Sequence, residues 1–223
     1  MTPTHTDSSS RASTDASTRA AAPAAARAAE PTATALLLMD YQQGILAGFE
    51  TATALTAAAR AARAARAHGV PVVFVRAAFR PGFPELSASN AGFQALAAQA
   101  GDRLLIGNPG TELAAELERR DDEPLVTKKR IGAFAGSDLE VLLRASGARR
   151  LVLGGVATAG VVLTTVRMAA DMDFELTVLS DACADRSRKV HEVLMDSVFP
   201  RQADVATVAE WTAALAGAGN GLA

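Results

Sequence analysis

The sequence has few of the residues that build disulfide-bonded or metal-bound frameworks. Its 223 residues include one cysteine and three histidines. The single cysteine, Cys183, excludes a disulfide within the chain and is typical of a reducing compartment, so we expect a cytoplasmic protein. The histidines, His5, His68 and His191, cannot be combined into a metal site at ligand spacing. We therefore expect neither a metal ion nor another cofactor.

The sequence also lacks long apolar runs and an excess of charge of one sign. No apolar run approaches the length of about 18 residues that predicts a membrane span. The 22 basic and 24 acidic residues give a formal net charge of -2. Because nucleic-acid partners need a strongly positive surface, this balance argues against them. We expect a protein that binds neither membranes nor nucleic acids.

The beginning of the chain differs in composition from the rest. Residues 1–34 consist mostly of Ala, Ser, Thr, Pro and Arg, with hardly any large apolar side chain. Such a segment cannot bury enough surface to offset the entropy of ordering, so we predict a disordered tail over residues 1–34. Residues 35–223 are long enough to form one domain with a sizeable core.

After this tail, short apolar runs alternate with amphipathic or alanine-rich segments. Six runs predict buried strands: Leu36–Met39, Val70–Val75, Leu125–Thr127, Leu151–Val156, Leu176–Leu179 and Val205–Val208. Seven segments predict helices: Thr51–His68, Ser87–Ala98, Thr111–Arg119, Ser137–Ser146, Ala159–Met172, Ser187–Phe199 and Glu210–Ala216. The alternation predicts an α/β fold of three layers, α-β-α, in which helices cover both faces of a six-stranded, mostly parallel, Rossmann-like sheet.

Polar residues at the ends of the predicted strands are candidates for the functional site, because ligands bind beyond the carboxyl ends of such sheets. Asp40 follows four apolar residues of the first strand. Burial there would raise the pKa of its carboxyl group and suit it to general acid or base chemistry. The alternative is an aspartate that caps the next turn. Lys128 begins a basic triplet that is also typical of solvated surface.

The fourth predicted strand turns through small residues directly into a helix. Such a turn aims backbone N–H groups and the first helical side chain at a ligand. The residue at that point is Gly160, which has no side chain that could act as a nucleophile. Cys183 follows the fifth strand, but a buried thiol in apolar surroundings is inert. The turn is therefore typical of a nucleophile site that lacks its nucleophile.

Together these segments resemble the isochorismatase-like hydrolases, also called the cysteine hydrolase superfamily, from Ala35 to Leu215. Four motifs in the typical order and spacing carry the resemblance: Asp40–Gln42, Lys128–Phe134, Gly155–Thr165 and Asp181–Ala184. The resemblance implies that Asp40 and Lys128 are catalytic and that Lys129 falls outside the family's register. It also places the family's nucleophilic cysteine at Gly160, so we do not expect a thioester intermediate.

The resemblance has further implications for the turn around Gly160. It implies a non-proline cis peptide bond near Gly155–Val156, and an oxyanion hole formed by backbone N–H groups around Ala159 and Gly160. Some members that have glycine in place of the cysteine resemble true isochorismatases, which hydrolyse a vinyl ether. Glycine at this position would leave space for the substrate or for water.

Several other residues are expected to contact the substrate. They are Gln42, Phe49, Arg76, Arg80, Phe134, Val156, Thr158 and Ala159. The two arginines follow or end the second predicted strand and would grip an anionic or planar ligand, with ordinary loop packing as the alternative. The two phenylalanines would form apolar walls, although a lone phenylalanine more often belongs to the core.

These observations predict a hydrolase of a small anionic molecule in which Asp40 supports acid/base chemistry on water without a cysteine nucleophile. Vinyl-ether hydrolysis is the favoured reaction. Two alternatives remain open: a catalytically inactive protein that binds a ligand or takes part in an assembly, and a C–N (amide) hydrolase in which water attacks directly. Oligomers are common among relatives, so we also expect a homodimer or a higher homo-oligomer.

Overall fold

The computed structural model describes residues 33–48 and 50–219. The predicted tail therefore lies outside the described residues, apart from its last two positions. The sheet has six strands: β1 (Thr34–Met39), β2 (Val72–Ala77), β3 (Leu125–Lys128), β4 (Arg150–Val156), β5 (Glu175–Ala184) and β6 (Asp204–Ala206). Their order is β3-β2-β1-β4-β5-β6, and every neighbouring pair is parallel. This confirms the predicted α/β class.

Helices connect the strands of the sheet. They are α1 (Gln43–Leu46), α2 (Ala52–Ala67), α3 (Ala91–Ala100), α4 (Leu139–Ala145), α5 (Leu163–Asp171), α6 (Arg188–Val193) and α7 (Val208–Gly219). A π-helical turn, Thr158–Val162, leads into α5, and a second, Leu194–Val198, follows α6. Six of the seven predicted helices are present, with shifted ends.

The predicted helix Thr111–Arg119 is wrong. The segment forms only two short 3₁₀ turns, Pro109–Thr111 and Ala115–Leu117. Its backbone instead bonds to the turn after β1, because the Gln43 N–H group donates to the Glu112 carbonyl at 3.0 Å and the Ala114 N–H group donates to the Tyr41 carbonyl at 2.9 Å. These long-range bonds replace those that a helix would make.

The core lies on both faces of the sheet because side chains alternate along each strand. On one face, Leu37 and Met39 of β1 pack with buried side chains of α4 and α5. On the other face, Leu36 and Leu38 pack against α2 and α7. The side of α2 that faces the sheet consists of alanines, whose small side chains allow the helix to approach closely. The result is the predicted three-layer arrangement.

Strand β5 is the longest of the six, and it extends five residues beyond its predicted end at Leu179. The register between β4 and β5 shifts between Leu153 and Gly155, after which Gly155 lies opposite Cys183. Because of this extension, the residues that follow β5 lie at the carboxyl edge of the sheet, beside the turn that follows β4.

Candidate active site

A cleft of about 760 Å³ lies at the carboxyl ends of the parallel strands. Five neighbouring strands contribute residues at or just beyond their ends: Asp40 after β1, Ala77 in β2, Lys128 in β3, Ala157 after β4 and Asp185 after β5. This is the edge at which open parallel sheets bind ligands. The cleft therefore lies where the sequence places the candidate residues.

Asp40 is the first residue after β1, and only 5% of its surface is exposed. Its backbone has a φ of 62°, in the left-handed region that aspartate tolerates better than most residues. The Oδ2 atom lies 2.9 Å from the Nζ atom of Lys128. The Oδ1 atom is buried and has no hydrogen-bond partner among the described residues. One carboxyl oxygen is thus paired, and the other has no partner among the described residues.

The environment of Asp40 favours its protonated form. Burial raises the pKa of the carboxyl group above its ordinary value, and the charge and hydrogen bond of Lys128 offset only part of this effect. Removal from water penalises the charged form, whereas a neighbouring cation favours it. A raised pKa makes a carboxyl group a better proton donor candidate than an exposed carboxyl group would be.

Lys128 ends β3, and its side chain is as buried as that of Asp40. Besides pairing with Asp40, its Nζ atom donates to the Arg130 carbonyl at 3.0 Å. The next residue, Lys129, does not line the cleft, because its Nζ atom donates to the Ala78 carbonyl instead. The structure thus brings Lys128, and not Lys129, into contact with Asp40, in the register that the sequence predicts.

Gly160 lies in the π-helical turn between β4 and α5 and lines the cleft. A Cβ atom at this position would meet only the Ala157 Cβ atom, at 3.9 Å. The space in front of Gly160 is therefore open. The non-proline cis peptide bond joins Val156 to Ala157, one bond later than Gly155–Val156.

The N–H groups beside Gly160 already have partners within the chain. The Ala159 N–H group donates to the Oδ2 atom of Asp185 at 2.7 Å. The Gly160 N–H group donates to the Ala157 carbonyl at 3.1 Å. In this structure, both donors expected for an oxyanion hole at this turn therefore bond within the chain.

Asp185 is a residue of the cleft that the sequence does not single out. Its Oδ2 atom accepts from Ala159, and its Oδ1 atom accepts from the Ser187 N–H group at 3.3 Å. The available signal was an acidic residue immediately after the fourth motif, which ends at Ala184. That signal is hidden when the fifth strand is predicted to end at Leu179, because Asp185 then falls within a connecting loop.

Gln42 does not line the cleft and is fully buried, so its expected contact with substrate is a correction. Its side-chain amide donates to the carbonyls of Ala77 and Thr111, at 2.8 and 3.2 Å. Its Oε1 atom accepts from the Ala77 N–H group at 2.7 Å. The amide thus joins the turn that contains Asp40 to the end of β2 and to Thr111.

Three other expected contacts also lie outside the cleft lining. Val156 is 1% exposed and belongs to the core. Thr158 is fully buried, and its Oγ1 atom lies 2.9 Å from the Nδ1 atom of His191. Phe134 stacks on Phe174 with 6.2 Å between the ring centroids. These three side chains therefore pack into the protein and do not face the cleft.

The two predicted arginines are held by neighbouring side chains away from the cleft lining. Arg76 donates to the Thr127 hydroxyl at 3.3 Å and lies 3.5 Å from a carboxylate oxygen of Glu112. Arg80 is largely exposed and pairs with Glu85 at 3.0 Å. The loop-packing alternative therefore describes both arginines. Phe49 lies outside the described residues.

Other basic and apolar side chains line the cleft in their place. Its basic lining residues, among those described, are Arg103, Lys128, Arg130 and Arg186, against the two acidic residues Asp40 and Asp185. Arg130 lies 5.8 Å from the ring centroid of Phe93, which itself packs edge-on against Phe79. An excess of cations beside aromatic rings favours an anionic ligand with an apolar part.

Cys183 lies in β5, is 5% exposed and packs in the core rather than in the cleft. Burial raises the pKa of its thiol to about 12. A thiol in such surroundings remains protonated and unreactive at neutral pH. The geometry agrees with the expected structural role.

The described residues contain no group of three or more His, Cys, Asp or Glu side chains placed to hold a metal ion. Over the same part of the chain, no helix is both long enough and apolar enough to cross a membrane. A second cavity, of about 290 Å³, lies near the start of β4 and β5, where Arg150 and Glu175 pair at 2.8 Å. That cavity contains none of the predicted site residues.

Comparison with known proteins places this cleft in a family. Residues 34–210 match the model of the isochorismatase domain. An uncharacterized isochorismatase family protein of Escherichia coli O157:H7, YecD, is 34% identical over 181 residues, which cover 79% of this chain and 93% of that protein. A second, YwoC of Bacillus subtilis, is 30% identical over 75% of this chain and 86% of its own.

Solved structures agree with the sequence comparisons. An isochorismatase family protein from Burkholderia thailandensis superposes with a TM-score of 0.72 and 28% identity, over 84% of this chain and 98% of that one. A cysteine hydrolase from Pseudomonas syringae pv. phaseolicola shares the fold, with a TM-score of 0.78 at 22% identity, over 85% of this chain and 95% of its own. The fold, the cleft at the carboxyl ends of the strands and the match over residues 34–210 show that the chain belongs to the isochorismatase family of hydrolases.

Proposed function

We propose that the protein hydrolyses a small anionic molecule by acid/base chemistry on water, without a cysteine nucleophile, and that its substrate is a vinyl ether. One observation carries the proposal. The carboxyl group of Asp40 is buried, is held through Oδ2 by Lys128 and has its Oδ1 atom unpartnered among the described residues, in the cleft that Gly160 also lines. A proton donor is thus present where the nucleophile is absent.

A vinyl ether suits this arrangement because its cleavage begins with a proton and not with a nucleophile. Asp40 in its acid form gives its proton to the terminal carbon of the double bond, which leaves an oxocarbenium ion. Water adds to that cation and loses a proton, and the resulting hemiketal breaks down into a ketone and an alcohol. The hydroxyl proton released as the hemiketal collapses restores the acid form of Asp40, and the proton lost by water leaves with the alcohol.

Lys128 and the other basic side chains of the cleft support this reaction in a different way. The ammonium group of Lys128 orients the Asp40 carboxyl group and balances its charge once the proton has left. Arg130 and Arg103 line the same cleft and supply positive charge for an anionic group of the substrate. The open space in front of Gly160 accommodates the substrate or the attacking water.

Direct attack of water on an amide fits the cleft less well. Such a reaction develops negative charge on the carbonyl oxygen and needs hydrogen-bond donors aimed at it. The Ala159 and Gly160 N–H groups are engaged by Asp185 and by the Ala157 carbonyl. This engagement supports vinyl-ether cleavage over amide cleavage as the reaction of the cleft.

Turnover of isochorismate and simpler carboxylated vinyl ethers by the purified protein tests the proposal. We expect hydrolysis by the wild-type protein and a loss of about 10²- to 10⁴-fold in kcat for Asp40→Asn, which removes the acidic proton while keeping the size of the side chain. Asp102→Asn, an exposed carboxylate outside the cleft lining, is the matched control and should leave kcat unchanged. Full turnover by Asp40→Asn would exclude Asp40 as the acid.

The same experiment separates the inactive alternative. A wild-type protein that binds isochorismate, as measured by calorimetry, but turns over none of the vinyl ethers would be a ligand-binding homologue. The feature that favours this alternative is Gly160, because it removes the family's nucleophile.

A further inference from the structure

The contact between Asp185 and the turn at Gly160 has no part in the acid chemistry of Asp40. The Asp185 carboxylate accepts the Ala159 N–H group at 2.7 Å, and the residue lines the same cleft as Gly160. Its second oxygen accepts the Ser187 N–H group just before α6. The side chain thus connects the residues that follow β5 to the turn that follows β4. An acyl intermediate at position 160 would need a hydrogen-bond donor for its negative oxygen. The Asp185 carboxylate, which is an acceptor, occupies that donor.

We propose that Asp185 is a specificity-determining residue that occupies the Ala159 N–H group and thereby excludes acyl-transfer chemistry from this cleft. A carbonyl oxygen that becomes negative beside position 160 would find that donor taken and a carboxylate oxygen in its place. Loss of a single such donor lowers the rate of acyl transfer by about 10²- to 10³-fold. The chain therefore excludes thioester chemistry twice, through the missing thiol and through the occupied donor.

The same contact determines which part of a ligand lies at the turn. A carboxylate oxygen accepts hydrogen bonds and repels carbonyl oxygens and anions. The hydroxyl or other donor groups of a ligand therefore lie beside Asp185, while its anionic group lies beside Lys128 and Arg130. Because Arg186 also lines the cleft next to Asp185, the exclusion rests on the occupied N–H group rather than on net charge.

This inference does not depend on the vinyl-ether proposal, and its test uses a thiol instead of the natural substrate. Gly160→Cys introduces a nucleophile where a Cβ atom has open space. Cys183→Ala in the same protein removes the native thiol. The probe is 4-nitrophenyl acetate. The introduced sulfur forms a bond to the acetyl carbon, the bond to the phenolic oxygen breaks, and 4-nitrophenolate leaves with the electron pair while the thiol proton passes to the buffer.

Iodoacetamide provides the internal reference, because alkylation of the same thiol passes through no oxyanion. The measured quantity is the rate of acetylation divided by the rate of alkylation for each variant, with both products assigned by mass spectrometry. Adding Asp185→Ala frees the Ala159 N–H group, and we expect the ratio to rise about tenfold or more. Adding Asp185→Leu instead removes both acceptor oxygens while keeping much of the side-chain volume, so a similar rise is expected.

Asp181→Ala is the matched control. The Asp181 carboxylate also accepts from a backbone N–H group, that of Val208 at 2.8 Å, but the residue does not line the cleft. Its removal should leave the ratio unchanged. Thermal unfolding of each variant checks that the fold is retained, and Asp185→Leu keeps the test decisive if the alanine variant unfolds.

Two results would overturn the proposal. One is an acetylation-to-alkylation ratio that neither substitution at Asp185 raises above that of the variant with Asp185 intact. The other is a ratio that Asp181→Ala raises as much as Asp185→Ala does, because the rise would then not come from the Ala159 N–H group. Failure of the wild-type protein to cleave vinyl ethers would affect neither result.

Discussion

The two sides of the cleft differ in how much reactive chemistry each retains. The acid side, Asp40 and Lys128, is buried, paired at 2.9 Å and includes a carboxyl oxygen with no partner among the described residues. The glycine side, Ala159, Gly160 and Asp185, has no nucleophilic side chain, and its backbone donors are engaged. The sheet holds both sides at the same edge, so the difference is one of side chains and not of fold.

The acid side keeps the paired residues that the family resemblance implies, although position 160 is a glycine. Simple decay would leave no reason for a buried aspartate and a buried lysine to remain paired, because burying two ionisable side chains costs free energy in either protonation state of the aspartate. At the acid side, both ionisable side chains remain buried despite this cost. At the glycine side, the space in front of Gly160 is open, but the neighbouring backbone donors are engaged. In the proposed mechanism, the acid side transfers the proton and the glycine side accommodates the substrate or water.

Lys128→Met disrupts the acid side and carries the largest expected effect of the following variants. We expect kcat on a vinyl ether to fall about tenfold to a hundredfold, because the Asp40 carboxyl group loses the contact that orients it. Lys128 lowers the pKa of Asp40, so its removal raises that pKa further. Activity that requires protonated Asp40 falls as pH rises through this pKa, so the high-pH limb of the profile should move to higher pH.

The pH–rate profiles of Lys128→Met and Lys129→Met provide the measurement. Lys129 is the neighbouring basic residue whose ammonium group lies outside the cleft lining. Its replacement should leave the position of the limb unchanged. A limb that moves to lower pH in Lys128→Met would contradict the assignment of Asp40 as the acid.

Two alanine substitutions on either side of the cis bond sharpen the comparison at the glycine side. At Gly155 a Cβ atom would lie 3.0 Å from the Met39 carbonyl oxygen and 3.0 Å from a methyl carbon of Val162. At Gly160 the nearest atom would be 3.9 Å away. We expect Gly155→Ala to lower the free energy of unfolding by about 1–3 kcal/mol, and Gly160→Ala to change it by about 0.5 kcal/mol or less.

Urea unfolding of the two variants measures this difference in stability. Steady-state kinetics measure a second difference, in KM. Gly160→Ala adds a methyl group to the open part of the cleft, so KM should rise although stability does not change. Equal destabilisation by both substitutions would mean that the space in front of Gly160 is not open.

Cys183→Ala should have the smallest effect. The thiol is buried with a pKa of about 12, so in the folded protein near neutral pH it is neither a nucleophile nor accessible to iodoacetamide. We expect unchanged kcat and KM, and a loss of about 1 kcal/mol of stability from the lost packing. Rapid labelling of the native wild-type protein, with mass spectrometry locating the label at Cys183, would refute the structural role.

Most of the fold could be predicted from the sequence, because each buried strand is a short apolar run and each helix has its own local pattern of residues. The segment Thr111–Arg119 could not, because its backbone bonds to Tyr41 and Gln43, some 70 residues away. The end of β5 could not either, since the polar residues Ser180 and Asp181 interrupt its apolar pattern inside the strand. Local patterns do not contain such long-range pairings.

The candidate site divides in the same way. Asp40, Lys128 and Gly160 lie directly at strand ends or in the turn after one, so their position follows from the order of the elements. Thr158 and Phe134 belong to the matching motifs, but their side chains point into the protein, which depends on rotation within a turn and not on spacing. Asp185 could not be predicted as a site residue, because it falls in a connecting loop when the fifth strand is predicted to end at Leu179.

The buried amide of Gln42 has a consequence for engineering this protein. Its three hydrogen bonds connect the turn after β1 to β2 and to Thr111, and none reaches the turn at Gly160 or Asp185. The bonds that hold the turn containing Asp40 are therefore separate from those at the turn after β4. Side chains at positions 159, 160 and 185 can therefore be varied together without removing any of the hydrogen bonds of Gln42 beside Asp40. This makes the chain a starting point for engineering new activities.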